Sequence, residues 1–299
     1  MRVLLIGAAG QLGQALRQRL MPTADVVPAT RTGRLADGTP CLGIDLARPR
    51  EAVAELHRVA PHAVINAAAY TAVDRAEDER EGAFAINATA VGAVAAACHD
   101  AGIHLIHYST DYVFDGAGST PYRADDATAP LGVYGASKLA GERAVVESGA
   151  RHLILRTAWV YGLYGSNFLQ TMLRIGAERD ELRVVADQFG SPTPSWLIAD
   201  VTAAILRRGI GEGGVHHLVA DGQTSWHGFA EAVFEEAVAR GRLERAPRVL
   251  PITTSEYPTR ARRPAYSVLD THSLRELYGV ELPHWRDALA RTFDAAPRT

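Results

Sequence analysis

The sequence predicts an α/β protein: a doubly wound parallel sheet followed by a smaller, irregular α/β lobe. Three observations predict it. Short apolar runs of strand type alternate with helix-type segments from Val3 to Thr157. A glycine-rich turn, Gly7-Ala-Ala-Gly10-Gln-Leu-Gly13, joins the first run to the first helix. The chain has 299 residues, 47% hydrophobic and 22% charged, enough to bury a large core.

Val3–Ile6 is uninterrupted apolar sequence ending in glycine, which reads as a buried strand. Gln11–Leu20 carries Leu12, Ala15, Leu16 and Leu20 at helical spacing. Asp25–Ala29 and Leu42–Asp45 are the second and third strands, and Pro49–Ala60 is a helix with proline in its first turn. Ala63–Ala67 is the fourth strand. Phe84–Ala101 is an alanine-rich helix closed by Gly102, with side chains small enough to pack closely on a sheet. Ile103–Ser109 is the fifth strand, Val133–Ser148 a helix and His152–Thr157 the sixth strand. Beyond Val160 the pattern loosens. Helices are expected at Phe168–Glu178, Leu197–Arg208, Gly228–Ala239 and Trp285–Phe293, with strands near Arg183–Ala186, Val215–Val219 and Arg248–Ile252. Residues 1–160 are expected to form the sheet domain. Residues 161–299 mainly form the second lobe, packed over the sheet's carboxyl edge, with room for the chain to cross between the two.

Composition excludes several classes. A net charge of −3 and the hydrophobic content argue against a disordered chain, a collagen-like chain or a strongly basic nucleic-acid binder. No run of 18 apolar residues appears, so no membrane span is expected, and the first residues are too short for a secretory signal. Cys41 and Cys98 cannot build a disulfide framework or a four-thiolate zinc site, so a reduced, cytoplasmic protein is expected. His216 and His217 adjoin, and His104 and His107 are three apart on a strand; each pair points to opposite faces, and no metal cluster emerges.

The glycine turn sits between a strand and a helix, the setting of a Rossmann dinucleotide-binding unit. Gly7 permits the tight turn, Gly10 lets the backbone approach a pyrophosphate, and Gly13 allows close helix–strand packing. Gln11, Leu12 and Gly13 open the helix, whose free N–H groups and positive dipole end face the phosphates. An acid closing the second strand would favour NAD, but Thr30-Arg31-Thr32 stands there. Arg31 suits a 2′-phosphate, so NADPH is expected, with NADH also usable. Asp45 and Leu46 end the third strand, where they border the adenine.

Of 31 basic side chains only Lys138 is lysine. It follows Tyr134 by four residues, and on a helix the two share a face. A phenol is a poor acid–base group near neutrality; a nearby ammonium favours its phenolate and donates to the nicotinamide ribose. The pair can then exchange a proton with a carbonyl oxygen as hydride reaches its carbon. Thr110 ends the fifth strand and can donate its hydroxyl to that carbonyl; Asp111 follows, placed for a substrate hydroxyl.

Taken together, these residues resemble the dTDP-4-dehydrorhamnose reductase family of the extended short-chain dehydrogenase/reductase superfamily, from Met1 to about Phe293. The supporting segments include Val64–Asp74 (VINAAAYTAVD), Ser109–Asp115 (STDYVFD), Tyr134–Lys138 (YGASK), Trp159-Val-Tyr161, Asn167-Phe168, Asp187–Thr193 and Arg263-Pro264. The resemblance implies reduction of the 4-keto group of a dTDP-linked 6-deoxyhexose. It implies that Ala68, Ala69 and Tyr70 line the cofactor and that Trp159 contacts the sugar nucleotide. It implies a homodimer and, in some members, Mg²⁺ at a dimer contact, of which the sequence carries no independent sign. Two positions depart from the family: Ala158 stands where serine is usual before the tryptophan, and Tyr266 stands where asparagine is common. The alternatives are a nucleotide-sugar epimerase or dehydratase, and a non-catalytic NADP-binding regulatory subunit. Dehydratases of the superfamily place acids directly after the serine–threonine pair, which Asp111 followed by Tyr112 fits poorly.

Overall fold

A central sheet of seven parallel strands organises the chain. The computed structural model describes residues 1–295; residues 296–299, the end of the expected second lobe, lie outside the described residues. In chain order the strands are β1 (Arg2–Ile6), β2 (Asp25–Thr30), β3 (Leu42–Gly43), β4 (Ala63–Asn66), β5 (His104–Thr110) and β6 (His152–Thr157). A seventh, Gly214–His217, returns from the later part of the chain and pairs with β6. Spatially the order is Gly214–His217, β6, β5, β4, β1, β2, β3, so the chain steps from β1 to β3 toward one edge and from β4 to Gly214–His217 toward the other. The order reverses between β1 and β4, where a doubly wound sheet opens its ligand crevice.

The strands are near-continuous apolar runs because both faces of the sheet are covered. Alternate residues divide the core. Leu4, Ile6, Val64, Leu105 and Ile154 pack with Leu56, Val94 and Cys98 on one face. Val3, Leu5, Ile65, Ile106 and Leu155 pack with Leu16, Ile198 and Ile205 on the other. Cys98 is buried, which pushes its thiol up to about 12 and leaves it inert as a nucleophile.

The expected Phe84–Ala101 helix starts earlier and is not uniform. Arg80–Phe84 is α-helical, Ala85–Thr89 forms a π turn, and Ala90–Asp100 is α-helical again. The wide turn lies against another helix. It carries the buried Asn87, whose backbone carbonyl lies so close to Gly141 that a Cβ there would stand 2.0 Å from it. Arg80–Asp100 is also long and apolar enough by length and composition to cross a membrane. The sequence count of consecutive apolar residues had not picked it out. Its Ala90, Val91, Val94 and Cys98 are spent on the protein's own core.

In the second lobe, Glu181–Val185 pairs in parallel with Arg248–Ile252, beside the helices Phe168–Glu178 and Trp226–Ala239. The helix Ser195–Arg208 belongs to the later chain yet buries Leu197, Ile198, Val201 and Ile205 in the core beside the sheet. Sequence periodicity had not anticipated the short helix His272–Tyr278 or the paired dipeptides Val160-Tyr161 and Thr193-Pro194.

Candidate functional site

Every expected catalytic and cofactor element falls at the carboxyl ends of the strands. Directly after β1, Gly7 takes φ +86°, and its N–H and that of Ala8 donate to Ala29 of β2 at 2.9 and 3.0 Å. A Cβ on Gly7 would lie 2.7 Å from the Ala68 nitrogen, so the turn after β1 and the segment after β4 can touch only through glycine. Gly13 is tighter still, because a Cβ there would stand 2.1 Å from the Gly7 carbonyl oxygen. This contact clamps the helix Gln11–Leu20 onto the turn. Gly10, the exposed cap of that helix, leaves the first-turn N–H groups of Gln11, Leu12 and Gly13 without intrahelical acceptors and open to an anion. The cradle fits a dinucleotide pyrophosphate. Gln11 also ties the turn to the second lobe, since its side-chain oxygen accepts from Asn167 at 2.6 Å.

Farther along the crevice, Arg34 is used by its own loop, donating to Gly38 at 3.1 Å. Arg31 is exposed. Asp45 is half-buried and accepts from the Ala47 N–H at 3.0 Å, while Leu46 is buried. After β4, Ala68 donates its N–H to Asn66 at 3.1 Å, and Ala69 is half-buried. The backbone of Tyr70 exchanges two hydrogen bonds with the Asn87 side chain, which also donates to Ser137 at 3.0 Å. The Tyr70 phenol donates to Glu79 at 2.7 Å.

The reacting groups converge after β5. The Thr110 side chain faces the Tyr134 phenol and partly offsets the rise in its pKa. The Thr110 hydroxyl also caps the short turn that follows, accepting from the Tyr112 N–H at 3.2 Å, and donates to Asp111 at 3.0 Å. Asp111 is buried, and its second carboxylate oxygen has no hydrogen-bond partner. Burial pushes this carboxyl up to about 6. Tyr112 stands edge-on to Tyr134 with ring centroids 5.6 Å apart, and its hydroxyl accepts from Arg263 at 3.1 Å. Arg263 also pairs with Asp74 at 2.7 Å, so one guanidinium of the second lobe spans two segments of the sheet domain.

Lys138 departs from the expected geometry. Its ammonium end is buried on the helix Val133–Glu147, donates to the Tyr108 carbonyl at 2.7 Å and lies 3.2 Å from His107 Nε2. Burial draws the amine down to about 8. The Tyr134 phenol is pushed up, by burial first, and no Lys138 charge offsets it. The spacing put the two side chains on one face, as expected. The long lysine stem then carries its charge under β5 instead of onto the phenol. A protonated phenol suits donation to an alkoxide, so this arrangement serves reduction without a depressed phenol.

Trp159, after β6, adopts φ +47°, a strained conformation for a bulky residue. Its ring stacks on Trp226 at 3.5 Å and 4°, and a Cβ on Gly190 would meet it at 2.5 Å. The sequence had not singled out Trp226, Asn66 or Asn87, and had weighed His107 only as a metal ligand. Periodicity marks a face, but not which residues of distant elements meet across it. Tyr266 donates its hydroxyl to Gln223 at 3.1 Å, and Ala158 is buried. His216 and His217 do part, to Ser273 and to the Asp270 carbonyl. Among the described residues no group of three or more His, Cys, Asp or Glu is placed to hold a metal ion.

Comparison with known proteins follows the same lines. A family model, the RmlD substrate binding domain, matches residues 1–297. The dTDP-4-dehydrorhamnose reductase of Burkholderia thailandensis is 46% identical over 298 residues, covering 97% of each chain. The chain belongs to the dTDP-4-dehydrorhamnose reductase family. That of Escherichia coli K12 is 44% identical over 294 residues, 97% of this chain and 96% of that one. Among solved structures of the family, the Bacillus anthracis reductase in complex with NADP superposes with a TM-score of 0.89 at 36% identity, covering 99% of both chains. UDP-glucose 4-epimerase from Brucella ovis, at 19% identity and a TM-score of 0.79, shares the fold, covering 97% of this chain and 96% of that one.

Proposed function

We propose that this chain reduces the C4 keto group of dTDP-4-dehydro-6-deoxy-L-mannose, or of a closely related dTDP-4-keto-6-deoxyhexose, with NADPH, giving dTDP-L-rhamnose or its counterpart. The observation that carries the reading is Thr110 at the end of β5 facing Tyr134, with Lys138 on the same helix as Tyr134, in the sheet whose first turn is the glycine cradle. When bound, the dinucleotide supplies hydride to the carbonyl carbon. Thr110 donates its hydroxyl to the carbonyl oxygen and fixes its position. Tyr134, held protonated by burial, gives its proton to the oxygen as negative charge develops there. Lys138, one helical turn from Tyr134, donates to the ribose and can return a proton to the phenolate left behind. Gly7, Gly10, Gln11, Leu12 and Gly13 hold the pyrophosphate, Arg31 the 2′-phosphate, and Asp45 and Leu46 the adenine side. Ala68, Ala69 and Tyr70 line the cofactor. Asp111 and Trp159 face the sugar nucleotide.

In this reading, residues 1–160 bind the cofactor and 161–299 mainly hold the substrate. The chain works in the cytoplasm as a homodimer, with neither nucleic acid nor membrane as partner. No step is assigned to Mg²⁺, since the described residues offer no donor cluster for it.

The test is a panel of nucleotide-activated 4-keto sugars, with NADPH consumption measured against product and product configuration read by NMR. One NADPH consumed per alcohol formed is expected. Product without net NADPH loss would replace this reading with an epimerase or dehydratase, and tight NADPH binding with no turnover would replace it with a regulatory subunit.

A further inference from the structure

The buried contacts of Lys138 lead back through two side chains to a backbone N–H whose polarity is beyond choice. Ala68 N–H can only donate, and it meets Asn66 Oδ1 at 3.1 Å. The Asn66 amide nitrogen therefore faces His107 Nδ1, 3.3 Å away. Asn66, His107 and Lys138 are all buried, so no water can reverse the order. The ring is neutral, because burial holds its pKa well below the usual range. A neutral imidazole carries one N–H. With Nδ1 accepting, that proton sits on Nε2, 3.2 Å from Lys138 Nζ.

An ammonium there would set donor against donor. An uncharged amine accepts from Nε2–H with its lone pair and still donates to the Tyr108 carbonyl. Restoring a match for the ammonium means moving the imidazole proton to Nδ1 and turning the Asn66 amide, which sets its NH₂ against Ala68 N–H. We infer that His107, oriented by Asn66, is a positioning residue that turns an N–H on Lys138 and so favours the uncharged amine.

The other charged groups near Lys138 do not undo this. Glu142, one turn along the same helix, attracts the ammonium, but its carboxylate is shared with Arg156 of β6 through three hydrogen bonds of 2.7 to 3.2 Å. The Tyr108 phenol points to Thr202, Asp111 accepts from Thr110, and Tyr134 faces Thr110. The chain of contacts begins at Ala68, in the segment proposed to line the cofactor. It thus joins the cofactor crevice to the charge of the catalytic lysine. The inference deepens the proposed role of Lys138 and rests on it for its catalytic meaning, but not for its test.

Because Lys138 is the only lysine, protein grown with [¹³Cε]lysine has a single labelled side chain, and its chemical shift against pH reads the charge directly, without substrate or cofactor. In His107→Gln the terminal amide reaches the same place free of a tautomer, and its oxygen can accept from the ammonium. In Asn66→Asp a carboxylate draws the imidazole proton to Nδ1, which turns Nε2 into an acceptor. Both changes should raise the titration midpoint by about one pH unit or more. Should His107→Gln fail to fold, Asn66→Asp decides alone. A midpoint left in place or lowered in the folded variants overturns the inference and leaves burial as the sole cause. Failure of the proposed reductase activity would show in the sugar panel and would leave this titration unchanged.

Discussion

Replacing Gly13 by alanine tests the cofactor cradle with a single methyl group. The Cβ would lie 2.1 Å from the Gly7 carbonyl oxygen and 2.8 Å from Ala8 Cα, where ordinary contact begins at 3.4 Å. All the opposing atoms are backbone, so no side chain can turn aside. The helix Gln11–Leu20 and the turn after β1 must separate by about 1 Å. A hydrogen bond stretched from about 2.9 Å to about 3.9 Å is lost. Each charge-assisted bond from a helix N-terminus to a phosphate is worth about 1.5–3 kcal/mol. Losing one or two weakens NADPH binding by roughly 10- to 10⁴-fold, at about 1.4 kcal/mol per tenfold. Overpacking should also lower stability by about 1–3 kcal/mol. The assay is NADPH binding by fluorescence, with circular dichroism confirming the fold. Gly82→Ala is the control, since a Cβ there meets nothing within 4 Å. A folded Gly13→Ala protein that binds NADPH within twofold of the parent would refute the argument that this contact sets the helix against the phosphates.

Other expected outcomes follow from the same site. Tyr134→Phe should lower kcat by roughly 10²–10⁴ with little change in NADPH affinity; a near-parental rate would remove it as proton donor. Arg31→Ala should weaken NADPH by roughly 10- to 100-fold and spare NADH, as competitive binding would show; equal weakening of both would mean that Arg31 does not read the 2′-phosphate. The Asp111 carboxyl, with its folded pKa raised from 3.8 to about 6, favours the native state least when ionised. Its burden on stability is therefore absent below about pH 4, grows between about pH 4 and 6, and is complete above that. Asp111→Asn should be the more stable protein at pH 8, by up to about 3 kcal/mol, and should lose that advantage by about pH 4. Urea melts at the two pH values check this, and a pH-independent difference would contradict it.

How much of this was legible in the sequence depends on how local each cause is. β6, the helix Phe168–Glu178 and the strand Arg248–Ile252 fall where the pattern predicts them, because apolar runs and turn residues act within their own segments. The glycine turn was legible for the same reason. The π turn at Ala85–Thr89 was not, because it is associated with a contact between Asn87 and Gly141 on another helix. Nor was the lysine's destination. Helical spacing put Tyr134 and Lys138 on one face, but the partners of Nζ lie on β5, about thirty residues earlier. Strand alternation set His107 aside as a metal ligand, and its contact with Lys138 needed the sheet and helix assembled. The tie from Arg263 to Asp74 and Tyr112 likewise spans too much chain for any pattern to show.

The titrating groups of the site share one tendency, which bears on the direction of the chemistry. Tyr134 is held as the phenol, Asp111 is pushed up to about 6 and Lys138 is drawn down to about 8, in each case by burial first. Dehydrogenation of an alcohol calls for a base, which a depressed phenol would supply. Reduction calls for a proton delivered to an oxygen that becomes strongly basic as hydride arrives, and a buried phenol can meet that demand while staying protonated until the moment of transfer. The phenolate that results is then the most costly charge in the crevice. Lys138 lies one helical turn away, and as an amine close to its midpoint it can take up the next proton and restore the starting state. A site whose phenol rests protonated thus holds the proton that reduction consumes.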